Sequence, residues 1–399
     1  MSRILATGMA ALIFVSGALA AKTIPDRPPA DKQPASAKLR VAPVPEAEWT
    51  AAQKDLAAKF SRGGGADNQL KTLLNVPEIV EGVLPFTIYV TEESQLIPRH
   101  REQLILRTAW LNGSQALWAK HAVRARQVGL TDEEIRRVAQ GPDAAGWTPF
   151  EKTLVQMADQ LYRNSSVADA TWRTLAAQYD LERLMDAVET VNHLTFLAGM
   201  FNSFGVQPDE AWPDRLPRIP YRINVPEPEP PLAAARVEPL PGPGIAVGRT
   251  FARHARLNQP RSRRANYVNR VSPLSPRHRE MLILRIGWNC QSEYEWAQHV
   301  GSVGRAREHG ADPVMIARGP DAPGIDPFDA AILRAADELY RDAVVSDRTW
   351  SALAARFDTR SLMSAVYSVG SYRATSMSLK TYGVQLEPTD ERFPKLDSQ

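Results

Sequence analysis

A stretch of 24 residues occurs twice in this chain, 178 positions apart. The first copy reads PRHREQLILRTAWLNGSQALWAKH from Pro98 to His121, and the second reads PRHREMLILRIGWNCQSEYEWAQH from Pro276 to His299. Registration continues downstream without a gap. Gly141 to Ala144 matches Gly319 to Ala322, Asp159 matches Asp337, Trp172 matches Trp350, and Phe204 to Gln207 matches Tyr382 to Gln385. Solenoid repeats are roughly 20–50 residues long, so a period of this length marks a repeated domain. Any site that the repeat builds is therefore expected twice.

The rest of the chain divides around these copies. Arg3, the mostly apolar run from Leu5 to Ser16, and Ala18-Leu19-Ala20 together read as an export signal over residues 1–20. That implies an exported, periplasmic or secreted protein, with no membrane attachment after cleavage. Residues 21–45 form a Pro-, Ala- and Lys-rich flexible leader. Residues 46–207 and 246–390 are the two repeat domains, and 391–399 a tail. Between them, residues 208–245 carry proline every few positions, which excludes helix and sheet interiors and predicts an extended strap. The single cysteine, Cys290, permits no internal disulfide and reads as a small buried apolar group. A net charge of +3 gives no support to nucleic-acid binding. The Arg-rich stretch from Arg249 to Arg270 reads as a solvated connector or, alternatively, as a patch that steers acidic substrates.

Within both domains the apolar spacing is helical. Leu104, Ile105, Thr108 and Leu111 recur at helical intervals, as do Leu282, Ile283 and Ile286. Thr131 to Glu134 and Thr148 to Glu151 are capping boxes, the second with proline at the first helical position. A long apolar helix is expected from Leu181 to Phe204, closed by Gly205, with its partner closed by Gly383. No alternating strand pattern is present. The expected class is all-α, with two helical domains.

Each motif places a glutamate early in one helix, a break at Asn112-Gly113 or Asn289-Cys290, and a histidine on the next helix. A tight turn between antiparallel helices would bring Glu102 beside His121, and Glu280 beside His299. Such a pair handles protons when it faces a cavity, and simply ties two helices together when it does not. Ser114, Leu117, Trp118 and His121 share one helical face, as do Ser292, Glu295, Trp296 and His299. The tryptophans Trp110, Trp118, Trp288 and Trp296 read as core packing or as pocket walls. His193 and Tyr372 in the last helices are weaker pocket candidates. Glu295 with Glu280 and His299 would make a metal set, which the leucine in the first copy argues against. No metal and no cofactor is expected.

These residues carry a resemblance. Glutamate, eleven residues, Cys-x-x-Cys, three residues, histidine is the signature of the alkylhydroperoxidase D-like branch of the carboxymuconolactone decarboxylase superfamily. The glutamates and histidines here have that spacing, and the Leu111-Asn112-Gly113 lead-in and the Gly141 to Ala144 turn are similar. The resemblance covers both domains, so two tandem alkylhydroperoxidase D-like helical domains are implied. The cysteine slots, however, hold Ser114 and Leu117, then Ser292 and Glu295. Disulfide-cycling peroxidase chemistry needs a thiolate and a resolving thiol, so it is disfavoured. The resemblance then implies a cofactor-independent lyase acting on a small carboxylated or lactone-type compound. Glu102, His121, Glu280 and His299 would be catalytic, with Ser114, Trp118, Arg107, Ser292, Glu295, Trp296 and Arg285 at the substrate. Ring-forming relatives imply a homo-oligomer, here a trimer of fused pairs. The alternative is a binding or scaffold protein that kept the fold without the chemistry.

Overall fold

The computed structural model describes residues 38–396 apart from 62–64, 221–222 and 224. The export signal read at residues 1–20 and most of the leader lie outside the described residues. Among the described residues there is no β-strand, so the all-α expectation holds. No helix among them is long and apolar enough to cross a membrane.

A leading helix, α1 (Ala51–Ser61), stands before the repeat. The first repeat follows as α2 (Asn68–Leu73), α3 (Pro77–Ile88), α4 (Pro98–Leu111), α5 (Gln115–Gln127), α6 (Asp132–Gln140), α7 (Pro149–Asn164), α8 (Asp169–Ala176) and α9 (Leu181–Phe204). The second repeats the order as α10 (Ala246–Phe251), α11 (Ala255–Asn266), α12 (Pro276–Asn289), α13 (Glu293–Val300), α14 (Pro313–Arg318), α15 (Pro327–Asp342), α16 (Asp347–Ala354) and α17 (Thr359–Tyr382). All pairs except α6 and α14 begin 178 residues apart. Local chemistry sets these boundaries. Thr131 and Thr148 form full capping boxes, and Asp180 and Asp358 cap α9 and α17. Gly205 and Gly383 close those helices at φ 74° and 68°, a left-handed backbone that glycine adopts without strain.

The two repeats share one core. The apolar cluster runs continuously through both repeats. Its seam is the pair α9 and α17, two 24-residue helices buried along nearly their whole length. A helix buried on nearly every side needs neighbours all round, and each of these two is covered in part by its own repeat and in part by the other. Two pairs of equivalent helices pack on each other, α9 on α17 and α3 on α11, as across a twofold axis. Polar ties obey the same rule. Asn202 donates to the Asn112 carbonyl of its own repeat (2.7 Å) and to Ala343 of the other (3.2 Å). Its equivalent, Lys380, donates to Cys290 (2.8 Å) and to Asn164 of the other (3.0 Å).

Among its described residues the proline-rich segment is extended, without helix or strand, and it runs from the first repeat to the second. The Pro217 carbonyl accepts from Trp110 Nε1 (3.2 Å), Asp214 pairs with Arg126 (2.7 Å), and Val237 N donates to Tyr382 O (3.2 Å). Phe393, in the tail, takes the corresponding place on the second repeat, with its ring 5.0 Å from Trp288 and 5.4 Å from Trp296. The first repeat also carries an insertion. Val41 N bonds Phe204 O just as Val237 N bonds Tyr382 O, yet 18 more residues separate Val41 from α2 than separate Val237 from α10. Those residues include α1, which packs on α3.

The seam is tight enough to be tested at one glycine. A β-carbon at Gly370 of α17 would lie 2.4 Å from Cδ2 of the buried Phe196 on α9. Gly370→Ala is expected to cost about 1–3 kcal/mol through overpacking. Gly287→Ala in α12, whose β-carbon would meet nothing closer than 3.8 Å, should leave stability unchanged or slightly raised. Thermal unfolding of the two variants beside the parent measures the difference, and equal midpoints would contradict the seam.

Candidate functional site

The turn between α4 and α5 brings the first glutamate and histidine together. His121 Nδ1 donates to Glu102 Oε2 at 2.8 Å, and both side chains are almost wholly buried. The equivalent turn between α12 and α13 sets His299 Nδ1 at 2.6 Å from Glu280 Oε2. At this level the two copies agree; their surroundings do not.

His121 lines a cavity of about 800 Å³ together with Glu102. The cavity wall is apolar on one side, with Leu70, Leu84, Leu117, Leu194, Leu197 and Phe201, and Phe60 and Ser61 of α1 complete it. It reaches the surface, since the exposed Gln127 and Glu46 also line it. No hydrogen bond to His121 Nε2 is formed among the described residues. Burial pulls the imidazole below the usual histidine range, while Glu102 opposes that with its charge and its hydrogen bond. At neutral pH the ring is therefore neutral. Its Nδ1–H is spent on the carboxylate, and its Nε2 lone pair is left for the cavity.

In the second repeat both ring nitrogens are occupied. His299 Nε2 lies 3.1 Å from Glu295 Oε1, in the slot where the first copy has Leu117. Burial lowers the His299 pKa, but the two carboxylates outweigh it and raise it to about 9. The ring is an imidazolium with no lone pair to offer a metal or a substrate. Helix α13 also ends early, at Val300, and the following turn folds under the glutamate. A β-carbon at Gly304 would lie 2.3 Å from Glu280 Oε2. Arg279 Nε donates to Glu280 Oε1 (3.1 Å), and the Tyr372 ring stands edge-on to His299 with centroids 4.9 Å apart. The site is packed shut.

Several residues assigned to the substrate have structural work instead. Arg107 donates through Nε and Nη2 to Asp159 (2.6 and 2.9 Å) and through Nη1 to the last carbonyls of α6 at Val138 and Ala139 (3.2 and 2.8 Å). Arg285 does the same with Asp337, Ile316 and Ala317. These are buried bidentate clamps that satisfy helix-end acceptors, so neither guanidinium reaches a ligand. They also account for the repeated turn. Gly141 and Gly319 sit at φ 97° and 92° against the arginines, where a β-carbon would be 2.8 Å from Nη2. Ser114 and Ser292 are buried with no hydrogen-bond partner for their hydroxyls, and neither caps its helix. Trp118 and Trp296 are buried in the shared core. Of the two weaker candidates, His193 bonds Thr87 (2.8 Å) and Tyr372 bonds Asn269 (3.0 Å).

One cavity residue escaped sequence reasoning. Arg101, immediately before Glu102, lines the cavity and is only 9% exposed. Its Nη1 donates to the Glu92 carbonyl (3.3 Å), and its Nε has no partner among the described residues. The motif PRHRE displays this arginine in both copies, at Arg101 and Arg279.

The chain resembles known proteins in the same region. Residues 77–160 match the model of the carboxymuconolactone decarboxylase family. No curated protein matches. Among solved structures, an uncharacterized peroxidase-related protein with an alkylhydroperoxidase core from Ralstonia eutropha JMP134 is 18% identical, over 46% of this chain and 100% of that one, with a TM-score of 0.40. Another uncharacterized peroxidase-related protein, from Silicibacter sp. TM1040, is 16% identical over 47% and 97%, with a TM-score of 0.39. A debrominase variant in complex with 2,3,4-tribromopyrrole is 11% identical over 44% and 95%, with a TM-score of 0.38. Residues 77–160, which span the Glu102–His121 turn, are the part of this chain that is similar to the carboxymuconolactone decarboxylase family.

Proposed function

We propose that the first repeat is a cofactor-independent acid–base site of the decarboxylase type, acting on a carboxylated, lactone-like compound, and that the second repeat serves as structure. The carrying observation is the His121 imidazole, oriented by Glu102 at 2.8 Å on one nitrogen and bare on the other, beside an open cavity. Thiol chemistry finds no support, because the one cysteine, Cys290, is buried in the second repeat. Export of the chain and assembly as a trimer belong to the same proposal.

Decarboxylation of an anionic substrate consumes one proton: the carboxylate carbon leaves as CO₂, and the carbon skeleton takes up hydrogen. Entry of the anion favours the imidazolium, so His121 Nε2 gains a proton as substrate binds. The carbon–carboxyl bond then breaks, and its electron pair delocalises toward the lactone carbonyl as a dienolate. Nε2 delivers its proton to carbon, and the ring returns to neutral. Glu102 holds the ring orientation and steadies its charge throughout.

His121→Ala is expected to lower kcat by about 10²–10⁴-fold on any turned-over member of a panel of carboxylated butenolides, assayed by CO₂ release. Equal turnover by parent and variant would remove the catalytic assignment and leave a binding protein. The pH profile tests the direction of proton flow. The reactive complex needs imidazolium, while free His121 is neutral above its lowered pKa. kcat/KM should therefore fall about tenfold per pH unit across the neutral range, where the concentration of protonated ring falls by the same factor. A rise with pH would make His121 a base instead.

The second site is tested through stability. The folded pKa of His299 is raised to about 9 from an ordinary value of 6.5. Its stabilisation is thus fully present below about pH 6.5 and is lost as pH rises through about 9. The parent protein should lose on the order of a few kcal/mol between pH 6.5 and 9.5. Glu295→Leu, which copies the first repeat, should flatten that dependence in urea titrations at the two pH values. An unchanged slope would mean that the triad does not hold the second repeat.

A further inference from the structure

The cavity beside His121 carries three cationic side chains, and two of them are already matched. Arg124 pairs with Glu92 at 3.0 Å, and Lys120 pairs with Asp67 at 2.7 Å. Arg101 has no carboxylate partner among the described residues. The residue is nine-tenths buried, and its guanidinium is bonded at one nitrogen to a backbone carbonyl and unsatisfied at Nε. A buried guanidinium without an acceptor is costly, and a carboxylate is the acceptor whose geometry fits its fork. The second repeat shows what becomes of this position when no ligand is to be bound. There Arg279 turns onto Glu280 and closes the gap with a protein carboxylate.

Volume and lining supply the other half of the argument. A space of about 800 Å³ is on the order of 25 water volumes at ~30 Å³ each. A one-ring acid anchored at Arg101 would leave much of that water against Leu70, Leu84, Leu194, Leu197 and Phe201. Apolar surface of this extent gains only when a ligand covers it. Helix α1, which has no counterpart in the second repeat, supplies Phe60 to the same wall.

Resting on the acid–base reading of this site, we infer that its ligand is a bulky amphipathic monocarboxylate, held by Arg101 at its head and by the leucine wall along an apolar body of more than one ring. The head then lies at the His121 end of the cavity, and the body runs between α3 and α9 past Leu84 and Leu197. Specificity comes from two separate features, the unmatched guanidinium and the length of the wall.

Isothermal titration of the full chain with benzoate, biphenyl-4-carboxylate and biphenyl-4-carboxamide tests both features without requiring turnover. The biphenyl acid should bind at least tenfold tighter than benzoate and at least tenfold tighter than the neutral amide. Arg101→Gln should weaken the acid tenfold or more and leave the amide unchanged. Leu84→Trp, which shortens the cavity at a half-buried position, should weaken the biphenyl acid and spare benzoate, so the proposal stays testable if the arginine variant folds poorly. Equal affinity for the two acids, equal affinity for acid and amide, or indifference to both substitutions overturns it. Assays of CO₂ release by the parent chain separate the two readings. Size- and charge-selective binding by a parent chain that releases CO₂ from no member of the panel refutes the lyase and keeps the ligand class, whereas turnover without size preference does the reverse.

Discussion

The mutual burial of α9 and α17 is the constraint from which the rest of the architecture follows. Each is buried on nearly every face, covered by its own repeat on one side and by the other repeat on the other. Some polar groups at the seam are matched across it. Ser378 of α17 accepts from Asn192 of α9 (3.0 Å) and donates to Glu189, and the Tyr382 hydroxyl donates to Glu189 at 3.1 Å. Breaking the pair would expose both the apolar faces and these buried groups. The second repeat is therefore indispensable to the first whether or not it binds anything, and its pocket is free to fill with protein.

That freedom is visible in the electrostatics of the two histidines. Both are buried, and burial alone disfavours the charged ring. One carboxylate at Nδ1 does not overcome it at His121, and two carboxylates do at His299. A single difference, Leu117 against Glu295, thus decides between a neutral imidazole with a lone pair and a fixed cation with none. Arginine placement follows the same logic. Arg279 bonds Glu280 directly, whereas Arg101 forms no ion pair among the described residues and feels Glu102, Glu92 and Asp186 only through space. The closed site balances its own charges internally, and the open one leaves a guanidinium for an incoming anion.

Much of the fold was legible because local signals are short-ranged. Capping residues at Thr131 and Thr148, the terminal glycines at 205 and 383, and the apolar period of α4 and α12 each act within a few residues, and the structure keeps all of them. The pairing of Glu102 with His121 was legible for the same reason, since a single tight turn joins the helices that carry them. What escaped reading depends on distant neighbours. Arg107 is claimed by partners far off in sequence, Asp159 at 52 residues and Val138 near the end of α6 at 31. No window of sequence shows that contact. The merging of two cores likewise depends on α9 meeting α17, which periodicity describes only as two apolar helices.

The asymmetry between the sites was half visible. Glu295 in place of Leu117 announced a difference, but its consequence depended on where His299 Nε2 points and on how far α13 extends. Helix α5 continues to Gln127, which keeps the chain clear of Glu102, and α13 breaks at Gly301, so that Gly304 seats directly on Glu280. Glycine is required at that seat because a side chain would collide with the carboxylate. The equivalent position in the first repeat is Arg126, on an exposed helical face bonded to Asp214 of the strap. An opening beside one histidine and a plug beside the other therefore arise from the length of a single helix, which determines whether backbone or solvent occupies the space next to the glutamate.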